Sequence, residues 1–226
     1  MRSHSNNSRR WLRIVLVLAV IVLHFGVYRL VNVLNSERPA SAFHDFSTFG
    51  DSRIPYLGWT SVVYYFAFPY VMVMGTIVVW ELPRRRSFHA VVAFAFLIVA
   101  GGALQLAFPA RSPWPAEVTW VQGLSHSISF DPFVCLPSMH VALATLTAAL
   151  SAAVFPSSRA KLMHGFTALA ISISTVTLKE HYLLDVLAGG LFAGLVYLVW
   201  RRWPLISPVA RKGEEADEHE GRSAAC

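Results

Sequence analysis

The sequence predicts an all-α fold: a polytopic membrane protein built as a six-transmembrane-helix bundle with both termini cytoplasmic. Three observations predict it. The 226 residues are 55% hydrophobic and only 14% charged, against about 25% charged in a typical soluble domain. The apolar residues gather into six stretches long enough to cross a hydrocarbon core of about 30 Å, which takes roughly 20 helical residues. The 19 lysines and arginines lie in short clusters between those stretches, unevenly on alternate sides.

A polar N-terminal tail, residues 1–10, precedes a first span expected near 11–34. A small-x-small site at Ala40 and Ala42 raises the question of a cleaved signal peptide. It lies too far beyond the strongest apolar run, Ile14 to Leu23, so the span reads as an uncleaved anchor. The outer loop 35–56 carries Phe43, Phe46 and Phe49 at spacing three, with His44, Asp45 and Asp51 between them, which predicts a short amphipathic helix in the interface. The second span, near 57–80, contains Pro69 and Gly75 and is expected to kink there. The third lies near 88–108. A second outer loop, 109–137, holds Pro109, Pro113, Pro115, Trp114 and Trp120 and suits a re-entrant or interfacial segment. The remaining spans fall near 138–155, 162–179 and 182–200, the last two separated by a tight turn at "KEH". The spans and loops of 11–203 form one membrane domain, and the polar tail 204–226 is expected to be disordered.

Charge orients the bundle. With the N-terminus inside, fourteen basic residues fall on the inner side. The outer side has five: Arg29, Arg38, Arg53, Arg111 and Lys179. Cationic loops lie preferentially in the cytoplasm. A net charge of +6 would otherwise suit nucleic acid, but clusters between apolar runs form no groove for it. The expected partners are the lipid bilayer and a membrane lipid substrate, and nucleic acid is excluded. The two cysteines, Cys135 and Cys226, show no metal-binding spacing.

The outer face collects the chemistry. The stretch "CLPSMHVALA", 135–144, sets Ser138 and His140 where the fourth span begins, and "LKEHYLLDVLAGG", 178–190, opens the sixth. His181 and Asp185 are four apart and share one helical face. A carboxylate on one imidazole nitrogen fixes the tautomer and leaves the other nitrogen basic, which suits a nucleophile or base. Helix N-termini bind phosphate, and Arg111 and Lys179 stand at the same depth. Two imidazoles, cations and helix amides together describe a phosphoryl-transfer pocket.

Bland readings apply residue by residue. His24, His89 and His164 read as packing partners, Ser138 alone as an N-cap, Arg111 alone as a headgroup anchor, and the GxxxG of Gly190 and Gly194 as helix packing. Asp185 in an apolar helix needs a partner, and His181 is the obvious one. Two other functions compete: a small membrane transporter or lipid-binding protein using His181 and Asp185 as a proton relay, and a zinc site from His126, His140, His181 and Asp185. Relay residues sit near mid-membrane rather than at an outer helix end, and Arg111 and Lys179 would repel a dication.

At Pro137-Ser138-Met139-His140 and His181-Tyr182-Leu183-Leu184-Asp185 the sequence resembles the type 2 phosphatidic acid phosphatase superfamily. The family's first motif is reduced to Arg111 with Pro113, Leu104 standing where its lysine would be. Ser174-Thr175 replaces the Ser-Arg of the third motif, and Met139 a glycine. These departures are similar to the branch of inositol phosphorylceramide and sphingomyelin synthases. The superfamily's soluble vanadate-dependent haloperoxidases keep the full cation set. The resemblance covers roughly 57–200 and implies a membrane lipid phosphatase or phosphotransferase. In it His181 forms a phosphohistidine, Asp185 orients it, and His140 is the acid and base. Arg111 and Ser138 hold phosphate, with Lys179 added here as a further cation. It implies no metal and no cofactor. Orientation then puts the site on the extracytoplasmic side of the plasma membrane.

Overall fold

The structure, a computed structural model, describes residues 2–115, 118–128, 133 and 136–206. Cys135, Cys226 and the tail from 207 onward lie outside the described residues. Among the described residues seven α-helices follow one another: α1 (Arg2–Ser36), α2 (Ser61–Glu81), α3 (Arg84–Ala107), α4 (Trp120–Ile128), α5 (Met139–Val154), α6 (Ser158–Thr177) and α7 (Leu183–Ile206). Every expected span coincides with one of them. Arg10–Ser36, Gly58–Glu81, Arg84–Ala107 and Leu183–Trp203 are long and apolar enough to cross a membrane, and α5 is a shorter apolar helix. Helix α1 is helical from Arg2, so residues 2–10 of the expected tail continue into the first span as one helix.

Helix α5 is the centre of the bundle and packs on α2, α3, α6 and α7. Its buried face alternates Ala142, Ala144 and Ala148 with Leu143, Leu146 and Leu150. Small residues let backbones approach where lipid supplies no hydrophobic drive, and leucines fill the gaps. Helix α1 packs on α3 and α2 and turns Leu18 and Val22 outward, as a helix facing hydrocarbon would. Helix α2 runs through Pro69 without a break. Helix α6 starts at Ser157, whose Oγ accepts the Ala160 amide at 3.2 Å.

The two ends of the bundle differ in chemistry. At one end Arg13 donates to the carbonyls of Trp80 and Leu82, and Arg86 lies over Trp200. The opposite end carries the long loops. There the Leu57 amide donates to Thr177 O at 2.9 Å, the His44 amide to Pro109 O at 2.9 Å, and Asn35 Nδ2 to Phe133 O at 2.8 Å.

Two expectations are corrected here. The loop 35–56 forms no α-helix; it has short 3₁₀ turns at Ala40–Ala42 and Asp51–Arg53. Asp45 Oδ1 accepts the Ser47 amide at 2.8 Å, and Asp51 Oδ2 the Thr48 amide at 2.7 Å. Such side-chain acceptors satisfy the amides a helix would need. The phenylalanines scatter accordingly: Phe43 packs on Phe133, Phe46 on His44, and Phe49 is exposed beneath Arg53. The second correction concerns glycine. A Cβ on Gly190 or Gly194 would meet nothing within 4 Å, whereas one on Gly189 would lie 2.5 Å from Ser138 O. The close approach of α7 to α5 is therefore made by Gly189, one residue away from the GxxxG pair.

Candidate active site

Backbone contacts bring the two motifs together. The Ser138 amide donates to Asp185 O at 3.1 Å, and Gly189 fits against the same turn. The first turn of α5 thus lies on the first turn of α7, and the His140 and His181 rings face each other with centroids 6.1 Å apart. His181 Nδ1 lies 3.5 Å from Asp185 Oδ2, both side chains buried. The same carboxylate oxygen accepts the Tyr182 amide at 2.9 Å. Asp185 therefore also closes the start of α7 from the third helical position, where a carboxylate stabilises the dipole. Tyr64 from α2 packs on His140 at 4.5 Å between centroids, with its hydroxyl 3.4 Å from Nδ1.

These groups open onto a cavity of about 230 Å³ between α1, α2, α5 and the 112–126 segment. His24, His126, His140 and His181 line it, and no lysine or arginine does among the described residues. His24, expected to be a packing partner, is thus part of the cavity wall. His164 and His89 are not: His164 meets Tyr70 at 3.2 Å, and His89 packs on Trp203.

The three residues expected to hold phosphate stand beside this cavity rather than on its wall. Ser138 occupies the N-cap of α5, makes no capping bond, and keeps a buried Oγ without a hydrogen-bond partner. The Arg111 guanidinium lies over the Phe43 and Phe133 rings, 4.6 and 5.4 Å from their centroids. Lys179 Nζ donates to Asp51 O at 2.8 Å and Ile54 O at 2.7 Å. Lys179 is left-handed, with φ 60°, a conformation worth about 1–3 kcal/mol of strain in a residue with a side chain. Asp51 in turn accepts the Leu183 amide at 2.8 Å, capping α7 from outside. Burial would raise the Asp51 carboxyl, but its bonds from Thr48 and Leu183, with Lys179 nearby, hold it below the ordinary value. The loop between α1 and α2 is thereby strapped to the turn that carries His181.

Glu180 gave no signal in the sequence, yet it is buried and central. It accepts from Gln122 Nε2 at 2.6 Å and Trp114 Nε1 at 2.9 Å, and its Oε1 lies 2.8 Å from His126 Nε2. His126 stacks on Trp114 at 3.5 Å. This cluster fastens the segment bearing Trp114, Gln122 and His126 over the cavity, next to His181. His126 therefore faces Glu180, and no three His, Cys, Asp or Glu side chains converge as metal ligands among the described residues.

A helical membrane protein with two histidines and a buried aspartate at one end of its bundle has the design of an integral-membrane phosphatase-type enzyme. A family model described as PAP2 superfamily matches residues 46–199, and the chain belongs to that superfamily. It is accordingly a phosphatase-type lipid enzyme in the general sense of that family. No curated protein and no solved structure matches the chain.

Proposed function

We propose that the protein is a lipid phosphatase or phosphotransferase. In this reading it acts on a phospholipid-type substrate at the outer leaflet of the plasma membrane through a phosphohistidine at His181. The observation that carries the proposal is the facing pair of His140 and His181 on one cavity, with Asp185 3.5 Å behind His181. Because Nδ1 of His181 faces Asp185, Nε2 is the nucleophile. It forms a P–N bond as the P–O bond to the leaving group breaks, and Asp185 stabilises the positive ring. His140 gives its proton to the departing oxygen, and Tyr64 holds its other nitrogen. His140 then takes a proton from water or an alcohol, whose oxygen attacks phosphorus and breaks the P–N bond. Water yields a phosphatase and an alcohol a transferase, as in the inositol phosphorylceramide synthase-like branch. The free amides of the first turn of α5, with Ser138 beside them, meet the phosphoryl oxygens.

Six spans, cytoplasmic termini and an outward-facing site complete the reading. Its support is the fourteen-to-five split of basic residues and the position of the histidines at the bundle end opposite Arg13 and Arg86. Purified protein incubated with phosphate-monoester and phosphodiester lipids, with and without alcohol acceptors, tests the proposal. Release of phosphate or formation of a new diester, lost in His181→Ala, is expected. Failure to turn over any such lipid would remove it.

A further inference from the structure

A second, narrower slot of about 40 Å³ borders the cavity on its α1, α2 and α3 side. The two share His24, Val71, Met72 and Leu143, so the slot adjoins the cavity that His140 and His181 line. Val17, Val20 and Ile21 of α1 form one wall, and Gly75, Val79 and Phe94 of α2 and α3 another. Beyond His24 the one polar side chain lining it is Thr76, whose hydroxyl donates to Met72 O at 2.6 Å and is thereby satisfied within its own helix. Past His24 the slot thus presents no free hydrogen-bonding side chain to an occupant. It runs from His24 back to Val17 and from Met72 on to Val79, seven residues each way, or ~10 Å at 1.5 Å per residue. Both directions lead from the histidine end toward the basic end, parallel to the helices. Its volume corresponds to on the order of three water-sized groups, too little for two chains side by side. Gly75 leaves room there: a Cβ would meet only the Phe94 ring, at an ordinary 3.7 Å. The α1 wall lies outside the 46–199 match to the superfamily, whereas the α2 and α3 walls lie within it.

We infer that this slot is a subsite for a single hydrocarbon chain carried by the phosphate-bearing substrate. The inference rests on the reading of the histidine cavity as the phosphate site. A chain entering beneath His24 leaves its phosphate between His140 and His181, while any second chain stays in the bilayer. Helix α1 then acts as a selector of chain length and shape.

Straight-chain alkylphosphonates of two to ten carbons test this, because they bind without being hydrolysed. Affinity for the full-length protein in detergent is measured by titration calorimetry. Affinity should rise up to about fourfold per methylene, equivalent to about 0.8 kcal/mol, and level off once the slot is filled. Gly75→Phe and Ile21→Trp block the slot from opposite walls, so the misfolding of one leaves the other to decide. Both should stop the rise several carbons earlier, with affinity for the two-carbon compound unchanged. Gly190→Phe, placed in open space on α7, should keep the native profile, and detergent partitioning is common to all four proteins. Identical chain-length profiles in all of them would overturn the inference and leave the phosphate site standing. Absence of binding at every length, the shortest included, would overturn the phosphate reading and the subsite with it.

Discussion

Adjacent glycines on α7 should respond to the same substitution with opposite signs. At Gly189 a methyl group would sit 2.5 Å from the backbone oxygen of Ser138, well inside van der Waals contact. The obstacle is backbone, so no side-chain rotation relieves it and α5 must move. Overpacking of this kind costs about 1–3 kcal/mol. Replacing a helical glycine by alanine returns about 1 kcal/mol of propensity at either position. Gly190→Ala, with nothing within 4 Å, should receive only that gain. The propensity term cancels between the two variants, leaving a difference of about 1–3 kcal/mol. For a chain of this size that corresponds to roughly 2–12 °C in Tm, read by thermal unfolding in detergent. Gly189→Ala should also lose turnover, because the displaced turn carries His140 away from His181. Equal melting shifts and equal activity in the two variants would refute the claim that Gly189 sets the approach of α5 to α7.

Four other outcomes are expected. His140→Ala should lower turnover of a lipid substrate by about 10²–10⁴-fold, the usual worth of a general acid, yet spare a nitrophenyl phosphate whose leaving group needs no proton. Lys179→Met should lower kcat roughly ten- to a hundredfold through misplacement of His181 with little change in KM. A rise in KM alone would instead mark Lys179 as a phosphate ligand. Asp51 has a depressed carboxyl, so its contribution to stability is complete above the ordinary 3.8 and is lost as pH falls through the lower folded value. Asp51→Asn should lower Tm at neutral pH and abolish that acid sensitivity in melting curves. After the native cysteines are replaced, Ser52→Cys should label from outside intact cells and Ser158→Cys only after permeabilisation, and the reverse would reject the orientation.

The helices were legible because bilayer length and apolar composition act locally along the chain. The His181–Asp185 pair was expected from a spacing of four on one helix, but His181 precedes α7, and the two meet because Asp185 Oδ2 accepts the Tyr182 amide and folds that turn over the helix start. The loops were not legible, because their conformation is decided by acceptors distant in sequence. Lys179 reaches carbonyls at 51 and 54, and Glu180 collects donors from 114, 122 and 126. No local pattern distinguishes a lysine that straps a loop from one that holds phosphate. The glycines show a finer limit. Gly189, Gly190 and Gly194 lie on one helix, and only packing against Ser138 reveals which of them matters. His24 looked like one more polar residue in an apolar span, and its place on the cavity follows from the docking of α1 against α2 and α3.

Rapid acid- or base-quench of the enzyme with a ³²P-labelled phosphate-monoester lipid tests the central claim most directly. The account predicts an acid-labile, base-stable phosphoenzyme that maps to the peptide bearing His181. It should be absent in His181→Ala and persist in His140→Ala given a nitrophenyl substrate. Phosphate trapped on another residue, or turnover undiminished in His181→Ala, would contradict it.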